Sequence, residues 1–195
     1  MDFHTYGARV SPKFSDQFKG NFELALQNGD HGSESQKGTL FDGSLTWSFG
    51  GGLNPQVVGG YYYLSGDDAS SSKNESWHQV FGRWPQISEL YIYTYVGTDY
   101  SIAGWTNLQT PYIGLDMVPF QKSNLSLRYY DLRAEEKNDP GDGDKRGDLL
   151  TALLKFKVTD QLSGHLRAEY LDPGNYYVKG TDSASFLRAN VIYKF

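Results

Sequence analysis

Apolar and polar side chains alternate with a period of two along this chain, in stretches of about ten residues separated by turn chemistry. In residues 6–14, Tyr6, Ala8 and Val10 share one face and Arg9 takes the other. Residues 18–28 align Phe18, Gly20, Phe22, Leu24 and Leu26; residues 39–49 align Phe41, Gly43, Leu45, Trp47 and Phe49. Residues 55–64 follow a tight Gly50–Asn54 turn. The stretch 105–118 aligns Ile113, Leu115 and Met117, and 125–133 aligns Leu125, Leu127 and Tyr129. Then 148–158 aligns Leu150, Ala152, Leu154, Phe156 and Val158, and 162–171 aligns Leu162, Gly164, Leu166, Ala168 and Tyr170. The last strand, 185–195, carries Leu187, Ala189, Val191, Tyr193 and Phe195 on one face against Arg188, Asn190 and Lys194. Helical periodicity is not evident, so the pattern predicts an all-β antiparallel meander of nine strands.

A final strand with one apolar face that ends on an aromatic residue is how a bacterial outer-membrane barrel finishes, with lipid on one side and a wet lumen on the other. The connections support that reading because they alternate in length. Residues 15–17, 50–54, 119–124 and 159–161 are short; 29–38, 65–104, 134–147 and 172–182 are long. Barrels of this class have short periplasmic turns and long extracellular loops. Parity holds only if 65–104 is one extracellular excursion, so Glu89–Val96 is not a spanning strand despite its strand-like composition. Nine strands are an odd number where a complete barrel has an even one, which predicts half of a larger barrel.

Composition sharpens this picture. No apolar run is long enough for a transmembrane helix. The mean hydropathy of -0.55 would fit a soluble protein, but a polar lumen and loops give a barrel the same value. The 15 Tyr, 11 Phe and 4 Trp suit two aromatic girdles. There is no cysteine, hence no disulfide framework or thiolate metal site. Met1 is followed by Asp2 without a basic and apolar leader, so a mature, trimmed or fragmentary chain is expected.

The text YYYLSGDD at 61–68, followed by NESWHQVFGRWPQISELYIYTY at 74–95, resembles the alginate export family of outer-membrane proteins. The matching residues are Tyr63, Leu64, Ser65, Gly66, Asp67, Asp68, Arg83, Trp84, Pro85, Ser88, Glu89, Leu90 and Tyr91, with Trp105–Leu108 as continuation. The resemblance implies a transmembrane up-and-down barrel of about eighteen strands, of which nine are half. Residues 1–195 then form one domain, the C-terminal part of an outer-membrane barrel, with a long extracellular loop over 65–104. On that resemblance the expected departure from the family is a missing N-terminal half.

Placing apolar faces toward lipid puts Arg9, Arg128, Arg167 and Arg188 in the lumen with His165, and Lys155 and Lys157 nearer the periplasm. Inward acids are Glu23, Asp42, Asp116 and Glu169, while much of the acidity that gives a net charge of -5 lies in loops. A basic constriction selects anions, and guanidinium forks suit the carboxylates of a polyuronate. The plainer alternative staples these arginines to Glu23, Glu169 or Asp42 across neighbouring strands. The residues leave both open; the resemblance favours selectivity, so that exchanging Arg167 and Arg188 for Glu is expected to reverse ion preference. Asp67 and Asp68, and the acidic loop 139–148, offer oxygen ligands for calcium, but neither has EF-hand spacing, and no cofactor is expected. Arg83 and Trp84, with Asp67 and Asp68, are the candidate loop or gate residues; Trp77 and Trp84 serve equally as anchors of that loop on the rim.

The expected function is passive export of an anionic exopolysaccharide such as alginate across the outer membrane. A general anion or oligosaccharide porin is the alternative. A barrel enzyme is less favoured, because His4, His31 and His78 lie at a terminus or in loops without a Ser or Asp partner motif, and His165 sits among basic residues. A soluble lipocalin-like barrel would have to turn its apolar rows inward. Expected partners are outer-membrane lipid, the polymer and, from the resemblance alone, a periplasmic scaffold; no nucleic acid is expected.

Overall fold

The structure is a computed structural model that describes residues 2–79, 87–91, 106–137, 143–177 and 182–195. Its ten strands are β1 (Asp2–Val10), β2 (Phe18–His31), β3 (Glu34–Gln36), β4 (Thr39–Ser48), β5 (Gln56–Leu64), β6 (Leu108–Met117), β7 (Ser123–Arg133), β8 (Lys145–Lys157), β9 (Leu162–Pro173) and β10 (Ala184–Tyr193). Nine of them form one antiparallel up-and-down sheet in the order β1-β2-β4-β5-β6-β7-β8-β9-β10. The sheet is not closed: β1 and β10 each keep one edge without a strand partner among the described residues. No helix among the described residues is long and apolar enough to cross a membrane, which leaves strand crossing untouched.

Register carries one apolar face across all nine strands. Tyr6 pairs with Leu26 and Ala8 with Leu24, Leu24 with Phe41, and Trp47 with Val57. Val57 pairs with Leu115, Leu115 with Leu127, Leu127 with Ala152, Ala152 with Ala168, and Ala168 with Leu187. Much of this face is solvent-accessible, to 81% at Leu187 and 69% at Val191. A soluble protein does not leave so continuous an apolar surface bare. Aromatic side chains border it at the short-turn end, where Phe14, Phe18, Trp47 and Phe49 form a chain of ring contacts with centroids 5.2, 5.9 and 6.2 Å apart, the last pair stacked.

The other face, here called inner, is covered in part by residues 87–91 of the β5–β6 connection. At its long-loop end lies the core, where Tyr62, Leu64, Leu108, Tyr130, Leu132, Leu149 and Leu171 pack with Leu90 and Tyr91. The inner face is therefore apolar at one end and polar at the other.

Several bounds differ from the periodic reading. β1 starts at Asp2 and stops at Val10, because its ladder runs from Asp2↔Asp30 to Val10↔Phe22 and Pro12 has no N–H to extend it. β8 starts at Lys145, since Lys145 still pairs with Arg133 and Gly147 with Leu132. β3 is an added three-residue strand that folds back on residues 29–31 of β2 inside a connection read as loop. Glu89–Tyr91 forms a helical turn rather than a strand, as parity required; the rest of 89–96 lies outside the described residues.

The alternation makes a direct prediction. Leu127→Arg, on the apolar face, is expected to cost about 2–4 kcal/mol of folding stability in lipid vesicles. Ser126→Arg, one residue away on the inner face, is expected to cost far less. A larger cost for Ser126→Arg than for Leu127→Arg in urea titrations would reverse the facing, and equal costs would overturn the two-faced reading.

Candidate functional site

The ladder places Arg9, Arg128, Lys155, His165, Arg167 and Arg188 together on the inner face. Arg9 is opposite Glu23, and Glu23 opposite Asp42. Lys155 is opposite His165, which is opposite Asn190. Arg128 is opposite Thr151, which is opposite Glu169. Arg167 is opposite Arg188, a like-charge pair that would destabilise the sheet on its own.

A carboxylate from outside the sheet resolves that repulsion. Glu89, only 2% exposed, pairs with Arg188, and Arg167 Nε lies 3.5 Å from Glu89 Oε1. Arg167 Nη1 also holds Glu169 Oε1 at 2.8 Å. Glu169 in turn receives the N-terminus of the helical turn: Ser88 Oγ donates to its Oε2 at 2.5 Å, Leu90 N to the same oxygen at 2.8 Å and Glu89 N to Oε1 at 3.2 Å. A carboxylate is favoured there because the first N–H groups of a helical turn have no internal partner. Two carboxylates and two guanidiniums thus form a neutral cluster that fixes residues 88–91 to the wall.

The remaining arginines are bound less tightly. Arg128 Nη2 meets Asp116 Oδ2 at 2.8 Å. Arg9 donates to Asn21 at 2.9 Å and reaches Glu23 only at 4.0 Å, with 64% of its side chain exposed. Of the staples expected from the sequence, Glu23 and Glu169 are used, Arg128 takes Asp116, and Arg188 takes Glu89 rather than a strand carboxylate. Arg188 Nη2 also lies 3.3 Å from His165 Nε2. No ion pair of Lys155 is present among the described residues.

Above this wall the long-loop end is knotted by the Tyr63–Asp68 text. Ser65 N donates to the Thr39 carbonyl and its own carbonyl accepts from Trp77 N and Asn107 N, while its hydroxyl accepts from Thr39 N at 2.9 Å and donates to the Glu75 carbonyl at 2.7 Å. Glu135 accepts from the Tyr63 hydroxyl and, at 2.6 Å, from Gly66 N. Buried Asn107 receives both Glu135 N and Glu136 N at 2.8 Å. Arg146 is fully buried with its guanidinium 5.5 Å from the Tyr91 ring and 5.2 Å from that of Tyr176, and donates to the carbonyls of Thr106 and Asn107.

The gate candidates have local duties in this knot. Asp67 accepts from Glu75 N at 2.9 Å, and Asp68 from the amide and hydroxyl of Ser70, which hold its carboxyl below the usual range. Arg83 and Trp84 lie outside the described residues, as do Asp139 and Asp142 of the acidic loop. Among the described residues no three His, Asp or Glu side chains converge to hold a metal ion. Trp77 packs against the core, in the anchoring role. His4 and His31 sit in β1 and at the end of β2, not outside strands, and His31 and His78 stand 5.3 Å apart.

Residues 1–190 match the family description for alginate export. The chain belongs to the alginate export family. The family is one of outer-membrane transport proteins rather than enzymes, so membership places this sheet in the outer membrane and its general role in polysaccharide export. No curated protein matches the chain.

The alternation of the sequence pointed to Arg9, Arg128, Lys155, His165, Arg167 and Arg188 but not to Lys19, to buried Arg146 and Asn107, or to Glu89 as the partner of Arg167 and Arg188. The available signals were apolar doublets such as Leu149–Leu150 and Tyr129–Tyr130, which break the alternation where the inner face is buried.

Two outcomes follow. Glu169→Ala is expected to release the turn at a local cost of about 3–5 kcal/mol, because it strands buried partners. The amides of Glu89 and Leu90 should then lose hydrogen-exchange protection, whereas Glu23→Ala should cost about 1 kcal/mol or less. The second concerns pH. Burial and the neighbouring His31 hold the His78 imidazole below the usual histidine range. The unfolded segment therefore binds more protons, and the contact of His78 with Phe3 and His31 is complete above the unfolded pKa of about 6.5 and weakens as pH falls below it. Proteolysis of residues 74–79 should accelerate in that acid range, and His78→Gln should remove the pH dependence.

Proposed function

We propose that this chain forms the wall of an outer-membrane channel that passively exports an anionic, alginate-like polyuronate along the cations of its inner face. The observation that carries this reading is their common placement: six cationic or imidazole side chains from β1, β7, β8, β9 and β10 fall on the polar face of a sheet whose opposite face is apolar. The nine-stranded sheet is read as half of an about eighteen-stranded barrel, with the β5–β6 connection on its extracellular side.

The differing strength of the ion pairs supports a division of labour. An exposed pair at 4.0 Å such as Arg9–Glu23 is worth about 0–1 kcal/mol, so a passing carboxylate exchanges with Glu23 at little cost. Lys155 offers a second cation without a strong competitor. Arg128 is intermediate, while Arg167 is committed to the buried cluster and acts mainly by holding the turn. A polymer then moves between weak contacts, each loose enough to release it. No energy source is required, and the low-dielectric wall concentrates the field of these cations on the conduit. Lipid on the apolar face and a periplasmic scaffold complete the expected partners.

Planar-bilayer conductance of the full-length protein tests the reading. Anion-selective current that added polyuronate blocks is the expected result. Arg9→Glu combined with Lys155→Glu, which leaves the Glu89 cluster intact, should shift the reversal potential toward cation preference and weaken the block. Current indifferent to polyuronate would favour a general anion or oligosaccharide porin instead.

A further inference from the structure

Beyond the basic row lies a cavity of ≈ 340 Å³ in the inner wall, bounded by β2, β4, β5, β6 and β7 and by Ile87 ahead of the inserted turn. Its size is at the small end of small-molecule sites, which run from about 300 to 1,000 Å³. Two glycines make it. A Cβ at Gly60 would overlap the ring of Tyr112, and one at Gly114 would overlap the Arg128 side chain, so both side chains lie down across neighbouring strands. Tyr112 thereby gives the cavity an apolar ring, set 5.3 Å from that of Tyr130.

The polar lining is not that of a carboxylate site. Lys19 and Arg128 are balanced by Asp42 and Asp116, all four lining the same cavity. Arg128 is already engaged by Asp116 Oδ2 at 2.8 Å. The other oxygen, Asp116 Oδ1, is buried and has no hydrogen-bond partner among the described residues. A buried carboxylate oxygen without a donor is costly, and a ligand hydroxyl would satisfy it. Thr46 and Gln56 add groups able both to donate and to accept. A charge-balanced hollow with a flat aromatic and a waiting acceptor fits a hydroxyl-rich pyranose ring.

We propose that this cavity is a subsite for one sugar residue, recognised through its hydroxyls and ring rather than its carboxylate. The proposal rests on the polysaccharide-export reading and adds to it. A wall that reads hydroxyls will hold a neutral sugar chain, whereas the cation row alone will not.

The experiment compares current block of the full-length protein in planar bilayers by a neutral β-1,4-linked mannohexaose and by a mannuronate hexamer. Both are expected to block. Asp116→Asn and Tyr112→Ala should each raise the half-blocking concentration of the neutral oligomer by about tenfold, the scale of one charge-assisted hydrogen bond or one aromatic contact. Heat-modifiable migration of each variant on gels checks that it folds. Block by the uronate but not by the neutral oligomer overturns the subsite and leaves export standing. Unchanged neutral block in both folded variants also overturns it. If neither oligomer blocks the wild-type current, the export reading fails and takes the subsite with it.

Discussion

A strand inside hydrocarbon has no water to satisfy its N–H and C=O groups, and this constraint sets everything else in the molecule. Each spanning residue must lie in a ladder, and a ladder fixes alternation, so choosing the lipid face also chooses the inner one. Leu127 and Arg128 are neighbours in sequence, yet one sits in the apolar row and the other faces Asp116. The inner chemistry is thus a consequence of register. A slip of one residue in any strand would carry its cations into lipid, at about 2–4 kcal/mol each near the midplane.

Register also creates a problem that the chain solves from a distance. Putting Arg167 and Arg188 on one face sets two guanidiniums side by side. The neutralising carboxylate comes from Glu89, on a turn that Glu169 anchors from 80 residues away in sequence. Because the cluster is buried and paired, its worth lies less in net stability than in fixing where the turn sits. Tyr91 continues the arrangement, its ring beside the guanidinium of Arg146, which itself donates to Thr106 and Asn107. A single path of contacts therefore joins the inner wall to the knot at the long-loop end.

The nine spanning strands were legible because each shows its alternation within its own ten or so residues. Connection parity was legible too, and it correctly kept Glu89–Tyr91 out of the strand count. β3 was not, since three residues carry no periodic signal and their pairing depends on the extension of β2 past Gly29. The apolar half of the inner face was hidden by the same rule that found the outer one: in Tyr61–Leu64 both parities are apolar, so alternation is silent. Most of the inner cations were found, with Glu23 and Glu169 among their partners, but Glu89 was not, because it is local to nothing it binds. Only the match of the Ser88–Tyr91 text to the family hinted that these residues matter, and the reason is the docking of that turn on Glu169.

The pairing of the inner cations bears on how such a wall can be both stable and permissive. Unpaired arginines in a row would repel one another and grip a polyanion too firmly to let it move. Fully buried pairs would hold the sheet together and ignore the polymer. The observed wall has both kinds, from Arg9 with its loose 4.0 Å contact to Glu89 at 2% exposure between two guanidiniums. On the export reading, the exposed members do the exchanging and the buried ones hold the surface on which exchange occurs. The hollow beside Asp116 adds a contact that depends on hydroxyls, which every residue of a sugar chain carries whatever its charge. Charge attraction alone draws in any polyanion, so a channel that must favour a saccharide needs a second test that an inorganic anion cannot pass.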